Sequence, residues 1–548
     1  MRTVWCGAMA VFLSAMVAAC SDTTAQCPGG APGPIDTTSG DVCGTTVDVP
    51  EAPSAHAFLG IPYAETTAGE NRWKPPIPAG RASGTLQAVA FGDICPQSSL
   101  GSAATDLALP PQSEDCLSVN VWTPADAEAG QHLPVLVYIH GGAFLFGSSA
   151  NPIFDGAYLA SAEHLVLVSL NYRVGAFGFL AGIDGLEGNY GFLDQQLALR
   201  WVRDNASAFG GDPEHVTIFG ESAGAMSVGL HMLSAPSSAG LFVAGAMESN
   251  PFGLPYATVA QQGVKSARLA KALGCEGPDE LDCLRAAPTE QIVAQQVSAA
   301  VILPDPRSLF QTLLPWVPVV DGNLIVAQPV AAASGGALEK PVLLGTNRNE
   351  GTSFVVAATT LGILPSPVTD QAYATTLALF FGAHHVAGIV ERYPPMNDDN
   401  ADQLSQIVTD YLFACSNRFL AAQAQSEAWA YEFVHVSSFN VVGIPACANA
   451  VCHAAELPYV FHSASQVGLT FTPAEDALSR AMAAYWGSFA RPGHDPNESR
   501  PAVAWPPFLP REDYVVLDTP ITTEVQPPHH CDFWDTIGYD AVSADVLM

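Results

Sequence analysis

The chain has 548 residues, of which 49% are hydrophobic and 13% are charged. This composition supports a large buried core and excludes a chain that is disordered throughout. The formal net charge of −33, from 53 acidic and 20 basic residues, repels nucleic acid and anionic membranes, so we expect no nucleic-acid partner. The acidity weakly favours neutral or cationic substrates, although solubility of an exported protein is the simpler explanation.

The first twenty residues have the features of an export signal. Arg2 is followed by the apolar run VWCGAMAVFLSAMVAA and then by Cys20. One basic residue, a short apolar run and small residues before the cysteine predict a signal peptide over 1–19 rather than a lasting membrane helix. VAAC also resembles the lipobox of bacterial lipoproteins, which implies acylation at Cys20; an ordinary cleaved signal is the alternative. We therefore expect an exported protein that is periplasmic, anchored in the outer membrane or secreted.

The segment 20–43 is rich in Pro, Gly, Ser and Thr and lacks apolar periodicity. Such a composition predicts a flexible tether. The remaining residues, 44–548, contain no internal repeat and no long linker of biased composition, so we predict one domain there.

From about residue 133, short β-branched runs alternate with longer segments of helical apolar spacing. The spacing predicts a helix over 192–209, which ends before Gly210. Strands are predicted in five runs, namely 134–139, 165–170, 215–219, 340–345 and 429–436. This alternation indicates an α/β protein with a large, mostly parallel sheet that is covered by helices on both faces.

Twelve cysteines in an exported chain predict disulfides. Setting aside Cys6 in the signal and Cys20 as the lipid site leaves ten. Close spacing suggests four pairs and leaves one long-range pair; together these are Cys27–Cys43, Cys95–Cys116, Cys275–Cys283, Cys447–Cys452 and Cys415–Cys531. Free buried thiols are the alternative.

The segment HVTIFGESAGAMSVGLHML (215–233) predicts a strand, a tight turn and a helix that begins at Ala223. Glycines at 220 and 224 let the strand and the helix approach closely while Ser222 points out of the turn. The helix N-terminus adds positive potential beside the hydroxyl. The pattern is typical of a nucleophilic serine, whereas an isolated GxSxG match is also common in ordinary turns.

A second segment, YIHGGAFLFGSS (138–149), predicts a strand end followed by a glycine-rich loop. Backbone N–H groups in such a loop can stabilise an oxyanion. We predict that the donors are the N–H groups of Gly142, Ala143 and Ala223, and that His140 shapes the loop. A simple strand-to-loop turn is the alternative for this segment alone.

Taken together, these segments resemble the type-B carboxylesterases, which include cholinesterases and bacterial para-nitrobenzyl esterases. Further segments that match in family order are FLGIPYAE (58–65), NRWKPP (71–76), SEDCLSVNVWTP (113–124), SLNYRVGAFGFL (169–180), GTNRNEG (345–351) and CHAAELPYVF (452–461). The resemblance implies an α/β-hydrolase fold, a single catalytic domain and a serine nucleophile. It also places three of the disulfides, Cys95–Cys116, Cys275–Cys283 and Cys415–Cys531, at positions of cholinesterase-like bridges.

The resemblance assigns the acid of a catalytic triad to Glu350 and the base to His453, in the chain order of this fold. An imidazole is needed to take the proton of a neutral serine hydroxyl, and the carboxylate orients the imidazole. Asp321, in VVDGN, is a rival acid that does not lie in the matching segment. Glu221, Ser249 and Glu456 match a polar network behind the family's triad, although ordinary buried hydrogen bonding describes them equally well.

Metal and cofactor motifs are weak in this sequence. His384–His385 and His529–His530 are adjacent pairs outside any HExxH pattern, and we interpret them as solvent-exposed. There is no P-loop and no GxGxxG after a strand, so we predict no cofactor and no metal.

The sequence therefore predicts an enzyme that hydrolyses small-molecule carboxylic esters. One alternative is a neuroligin-like binding protein on the same scaffold, which would have lost catalytic residues. Another is a cholinesterase proper, but the segment between Cys95 and Cys116 has no aromatic residue for a choline cation. Neither the natural ester nor the oligomeric state follows from the sequence.

Overall fold

The structure, a computed structural model, describes residues 27–28, 31–98, 110–300, 314–396, 399–525 and 529–539. The predicted signal peptide (1–19) and the predicted acylation site Cys20 lie outside these residues. Within the described ranges, no helix combines the length and the apolar character needed to span a membrane.

The described residues contain sixteen strands. In chain order they are β1 (Ile35–Thr37), β2 (Gly40–Cys43), β3 (Thr45–Val47), β4 (Ala55–Pro62), β5 (Thr85–Gln87), β6 (Ser118–Pro124), β7 (Leu133–Ile139), β8 (Val166–Leu170), β9 (Gly211–Glu221), β10 (Ala244–Glu248), β11 (Ala257–Thr258), β12 (Val319–Val320), β13 (Val342–Asn347), β14 (Ala428–Phe433), β15 (Asp513–Leu517) and β16 (Thr522–Val525).

Eleven of these strands form the central sheet, in the order β16-β15-β14-β13-β10-β9-β7-β8-β6-β4-β3. The run from β15 to β8 is parallel, and the strands beyond it at each edge are antiparallel. The predicted mostly parallel sheet is confirmed. Smaller sheets are formed by β1-β2-β5 and by β11-β12.

Helices lie along the chain between these strands. They are α1 (Ala157–Ala162), α2 (Gly175–Phe179), α3 (Tyr190–Asn205), α4 (Ala223–Leu233), α5 (Val259–Ala272), α6 (Glu280–Ala286), α7 (Thr289–Ala300), α8 (Pro329–Ser334), α9 (Glu350–Thr360), α10 (Asp370–Phe381), α11 (Val386–Arg392), α12 (Ala401–Val408), a π-helical turn (Thr409–Ala414), α13 (Cys415–Ala422), α14 (Leu457–Val460), α15 (Pro473–Phe489) and α16 (Cys531–Ile537). The helix predicted over 192–209 is α3 followed by a 3-10 turn.

Strand β7 shows how the sheet is buried. Val135, Val137 and Ile139 belong to the apolar cluster on one face, whereas Leu136 and Tyr138 belong to the cluster on the other. Successive side chains of a strand point to opposite faces, so a strand covered on both sides needs apolar residues at every position. This requirement explains the unbroken run LPVLVYI.

The segment predicted as a tether is folded near its end. β1 and β2 pair antiparallel within residues 35–43, and Cys27 is bonded to Cys43. Folded structure thus begins before residue 44, where we expected the domain to start. Composition missed these strands because three- and four-residue strands between glycines leave no apolar period.

All five predicted disulfides are present. They are Cys27–Cys43, Cys95–Cys116, Cys275–Cys283, Cys415–Cys531 and Cys447–Cys452. Such a number of bridges indicates an oxidising compartment.

Candidate active site

Ser222 stands in a strained turn between β9 and α4. Its backbone has φ 57° and ψ −120°, a conformation that non-glycine residues adopt only where the surroundings enforce it. Close packing around the turn holds Ser222 in this conformation. The space is so tight that a Cβ on Gly224 would lie 2.0 Å from the carbonyl oxygen of Ile139. The Ser222 N–H donates to the carbonyl of Glu248 (3.0 Å). Ser222 therefore stands at the carboxyl edge of the sheet, directly after β9.

His453 and Glu350 meet beside this turn. Nδ1 of His453 lies 2.6 Å from Oε2 of Glu350, and Glu350 is fully buried at the start of α9. The other carboxylate oxygen of Glu350 accepts from the backbone N–H of Asn347 (2.7 Å). With both oxygens engaged, Glu350 has one orientation, and it fixes the imidazole so that Nε2 faces away from it.

The second ring nitrogen of His453 makes no hydrogen bond to any described residue. It lies 3.1 Å from Oε1 of Glu221, the residue before Ser222. Catalytic hydrogen bonds are commonly loose in unliganded enzymes and tighten with substrate. Nε2 faces the residue that precedes Ser222 and is the ring nitrogen not bonded to Glu350, so it is the nitrogen that can exchange a proton.

The loop after β7 presents backbone N–H groups that can donate to a ligand. Gly142 has φ 104°, and a Cβ there would lie 2.2 Å from the carbonyl oxygen of Phe146. Ala143 and Phe144 follow with φ values of 56° and 54°, so alanine occupies a backbone conformation that favours glycine. Within the described residues, the N–H groups of Gly142 and Ala143 donate to no protein acceptor. A ligand oxygen can therefore bind there.

The third predicted donor, Ala223, is the first residue of α4. The N–H groups in the first turn of a helix have no intrahelical partner. The loop after β7 and the Ser222 turn are in direct contact, because a Cβ on Gly141 would lie 3.2 Å from Cβ of Ser222. The sheet brings these two segments together although Gly141 and Ser222 are 81 positions apart in sequence.

A group of buried polar residues lies behind the triad. Ser249 Oγ donates to Oε1 of Glu456 (3.4 Å), and Asn347 Nδ2 donates to Oε2 of the same carboxyl. Glu221 and Glu248 are register partners on the adjacent strands β9 and β10. Trp486 Nε1 donates to Glu248 Oε1 (2.6 Å).

This crowding of carboxyl groups shifts their pKa values. Burial raises the pKa of Glu221 to about 8, and the neighbouring carboxylates of Glu456 and Glu350 add to the rise against the opposing His453 cation. Burial and Glu350 raise the pKa of Glu456 to about 7. Burial alone would lower the pKa of His453, but the carboxylates of Glu221 and Glu350 outweigh it and raise the pKa to about 9. The site thus stabilises an imidazolium, the species that a general base becomes.

Two other predicted residues have structural roles. Oδ1 of Asp321 accepts from the backbone N–H groups of residues 323–325, so the rival acid is committed to its own turn. His140 is fully buried and stacks on Tyr172, with ring centroids 4.4 Å apart. Burial lowers its pKa to about 4, so His140 is neutral at pH 7 and contributes to the shape of the loop.

The interpretation of both histidine pairs as solvent-exposed is wrong for His529, and His385 is half-buried rather than exposed. His384 and His530 are exposed, but the His529 side chain is only 9% exposed and lies 2.7 Å from Oδ1 of Asp410. The partners of His529 lie on other elements, which a pattern of adjacent residues does not reveal.

Several residues of the site were not predicted. Phe354 and Phe413 pack their rings 4.9 and 5.3 Å from the His453 ring, and Asn347 bonds to Glu456. Asn347 lies within GTNRNEG, the motif of the acid, so the sequence carried a signal for it, whereas Phe354 lies three residues beyond that motif. Glu248 precedes Ser249, but its position beside Glu221 depends on strand order.

A carboxylesterase family model matches residues 32–534 of the sequence. The chain belongs to the carboxylesterase family. Similar proteins include an acetylcholinesterase of Bungarus fasciatus, 35% identical over 91% of this chain and 86% of the relative. An acetylcholinesterase of Electrophorus electricus is 34% identical over 84% of this chain and 80% of the relative. A cholinesterase of Mus musculus is 33% identical over 91% of this chain and 86% of the relative. The α/β-hydrolase fold is confirmed, and the protein is a carboxylic ester hydrolase.

Proposed function

We propose that the protein is a serine carboxylesterase in which Ser222, His453 and Glu350 form the catalytic triad. The observation that carries the proposal is the 2.6 Å contact between His453 and Glu350 beside the strained Ser222 turn. An ester is favoured over an amide because the family hydrolyses mostly esters.

The proposal assigns a group to each step of the reaction. Ser222 Oγ attacks the ester carbonyl carbon while its proton passes to Nε2 of His453. The N–H groups of Gly142, Ala143 and Ala223 donate to the oxyanion of the tetrahedral intermediate. His453 then gives the proton to the departing alcohol, which leaves an acyl group on Ser222. Water, deprotonated by the same nitrogen, attacks the acyl carbon and releases the acid.

A fluorophosphonate probe tests this proposal. We expect the wild-type protein to be labelled covalently and to hydrolyse p-nitrophenyl acetate, and Ser222→Ala to do neither while it unfolds at the same temperature. Ser249→Ala is a matched control, since Ser249 also follows a glutamate at a strand end but only donates to Glu456. A folded wild-type protein that stays unlabelled would favour the neuroligin-like binding protein instead.

For the substrate, we propose uncharged carboxylic esters rather than choline esters. The relatives are named for choline esters, but the segment 96–115 has no aromatic residue that could bind a quaternary ammonium through its π-face. Residues 99–109 of this segment lie outside the described ranges. Comparable kcat/KM for p-nitrophenyl acetate and acetylthiocholine would contradict this preference; we expect the first to be larger.

We also propose that the enzyme is exported by a bacterium and that Cys20 anchors it to a membrane. The support is the lipobox-like VAAC sequence and the five disulfides, which fit an oxidising compartment. Cys20→Ser should move the protein from the membrane fraction to the soluble fraction. Unchanged membrane retention would contradict the anchor.

A further inference from the structure

The disulfide Cys447–Cys452 closes a short loop directly before His453. Both sulfur-bearing residues are buried, Cys452 completely. The loop belongs to the long connection between β14 and α14, residues 434–456, in which a 3-10 turn at Pro445–Cys447 is the regular element. Few backbone hydrogen bonds hold such a connection, so a covalent link next to His453 restricts it strongly.

The same loop is bonded to the segment that carries Glu350. Asn349 and Val451 exchange two hydrogen bonds: the Asn349 N–H donates to the carbonyl of Val451 (2.9 Å), and the Val451 N–H donates to Oδ1 of Asn349 (3.0 Å). Asn347 Nδ2 donates to the carbonyl of Cys452 (3.0 Å). The segments that directly precede the predicted acid and base are therefore joined by three hydrogen bonds, in addition to the 2.6 Å contact between Glu350 and His453.

A further contact involves the disulfide itself. Sγ of Cys447 lies 3.8 Å from Oγ of Ser353, one turn beyond Glu350 on α9. The disulfide thus spans from the residue before His453 to the helix that Glu350 begins. Downstream, Ala454 has φ 68°, a left-handed conformation that persists only where the neighbouring chain is held.

We propose that the Cys447–Cys452 disulfide is a positioning element for the catalytic base. Together with Asn349 it holds the His453 loop against the start of α9, so that Nδ1 stays on Glu350 and Nε2 stays beside Ser222. This proposal rests on the proposed triad. A displacement of about 1 Å in a reacting group costs about a hundredfold in rate, so a looser loop lowers turnover without weakening substrate binding.

The test compares two disulfides that close short loops. Cys447→Ala/Cys452→Ala removes the link beside His453, and Cys275→Ala/Cys283→Ala removes a link of similar span, eight residues rather than five, between α5 and α6. Both variants lose a cross-link and some thermal stability. We expect the first to lower kcat for p-nitrophenyl acetate by about tenfold or more at a nearly constant KM, with an equal loss in the rate of fluorophosphonate labelling. The second should keep the wild-type kcat.

Activity is expressed per folded site, which is counted as the total probe incorporated at long times. A first variant whose kcat per site equals that of the control overturns the proposal, since the disulfide would then contribute to stability only. Should that variant fail to fold, Asn349→Ala replaces it; a wild-type kcat for Asn349→Ala is also contrary to the proposal. If the wild-type protein itself takes up no probe, the triad assignment fails, and the positioning role fails with it.

Discussion

His453 and His529 are both largely buried, and each faces two carboxylates. His453 lies 2.6 Å from Glu350 and 3.1 Å from Glu221, and His529 lies 2.7 Å from Asp410 and 3.6 Å from Glu432. Burial lowers the pKa of each imidazole, and the carboxylates more than offset it, so that the pKa is raised to about 9 for His453 and about 10 for His529.

The surroundings of the two histidines differ. Beside His453 are a serine in a strained turn and a loop with free N–H groups. Asp410, the partner of His529, also accepts from Tyr393 Oη and Gln406 Nε2, and His529 precedes the disulfide at Cys531 by two residues. A histidine–carboxylate pair is thus a general means of burying charge, and it becomes a candidate catalyst only where a nucleophile and oxyanion donors adjoin it.

The largest expected difference between the two centres is in activity. His453→Ala should lower kcat/KM for p-nitrophenyl acetate by about 10⁴- to 10⁶-fold, because Ser222 loses its general base. His529→Gln should leave kcat/KM within about threefold. Steady-state kinetics of both variants, with circular dichroism to verify folding, measures this contrast. Near-normal turnover by His453→Ala would refute the base assignment.

The second expected difference is in stability, where the substitution at His529 should have the larger effect. His529→Gln leaves two buried carboxylates without their cation, which should lower the free energy of unfolding by about 3 kcal/mol. A pKa raised from its ordinary value near 6.5 stabilises the fold below pH 6.5, and this stabilisation is lost as pH rises towards 10. The free energy of unfolding, measured with urea at pH 6.5 and 9.5, should therefore fall between these two pH values in the wild-type protein. The fall should be smaller in His529→Gln. Identical pH dependence in both proteins would argue against a charged His529.

The smallest effect concerns the second carboxylate at His453. Glu221→Gln removes a carboxyl group whose ionised form raises the pKa of His453, so the pKa of His453 should fall by about one unit. Because the base must be neutral, the acid limb of the kcat/KM profile should move to lower pH by the same amount. Because Gln is similar in shape to Glu, the plateau value of kcat/KM should change by less than about tenfold. An unmoved limb would mean that Glu221 carries no charge when the enzyme is active.

Much of the catalytic half of the molecule could be predicted from local patterns. Ser222 and Ala223 lie in a segment where strand, glycines and helix are consecutive, so one window of sequence contains the whole turn. Glu350 and His453 needed the family resemblance, because nothing local marks one glutamate or histidine as a partner of Ser222. Glu248 beside Glu221, and Asp410 beside His529, depend on strand order and helix packing.

The short strands near the start of the domain also could not be predicted from the sequence. The strands at residues 35–43 are too short for a periodic pattern, and the proline- and glycine-rich composition favoured a tether. By contrast, the spacing of Cys447 and Cys452 did predict their bond, because five residues can close a disulfide loop with little constraint from the rest of the fold.

The most direct test of the account is the identity of the residue that forms the covalent intermediate. Wild-type protein is treated with a fluorophosphonate, digested, and its peptides are sequenced by tandem mass spectrometry. The account predicts that the phosphonyl group is found on Ser222, in the peptide containing GESAGAM, and that His453→Ala is labelled far more slowly at the same residue. Labelling of another serine, with Ser222 unmodified in an active enzyme, would contradict it.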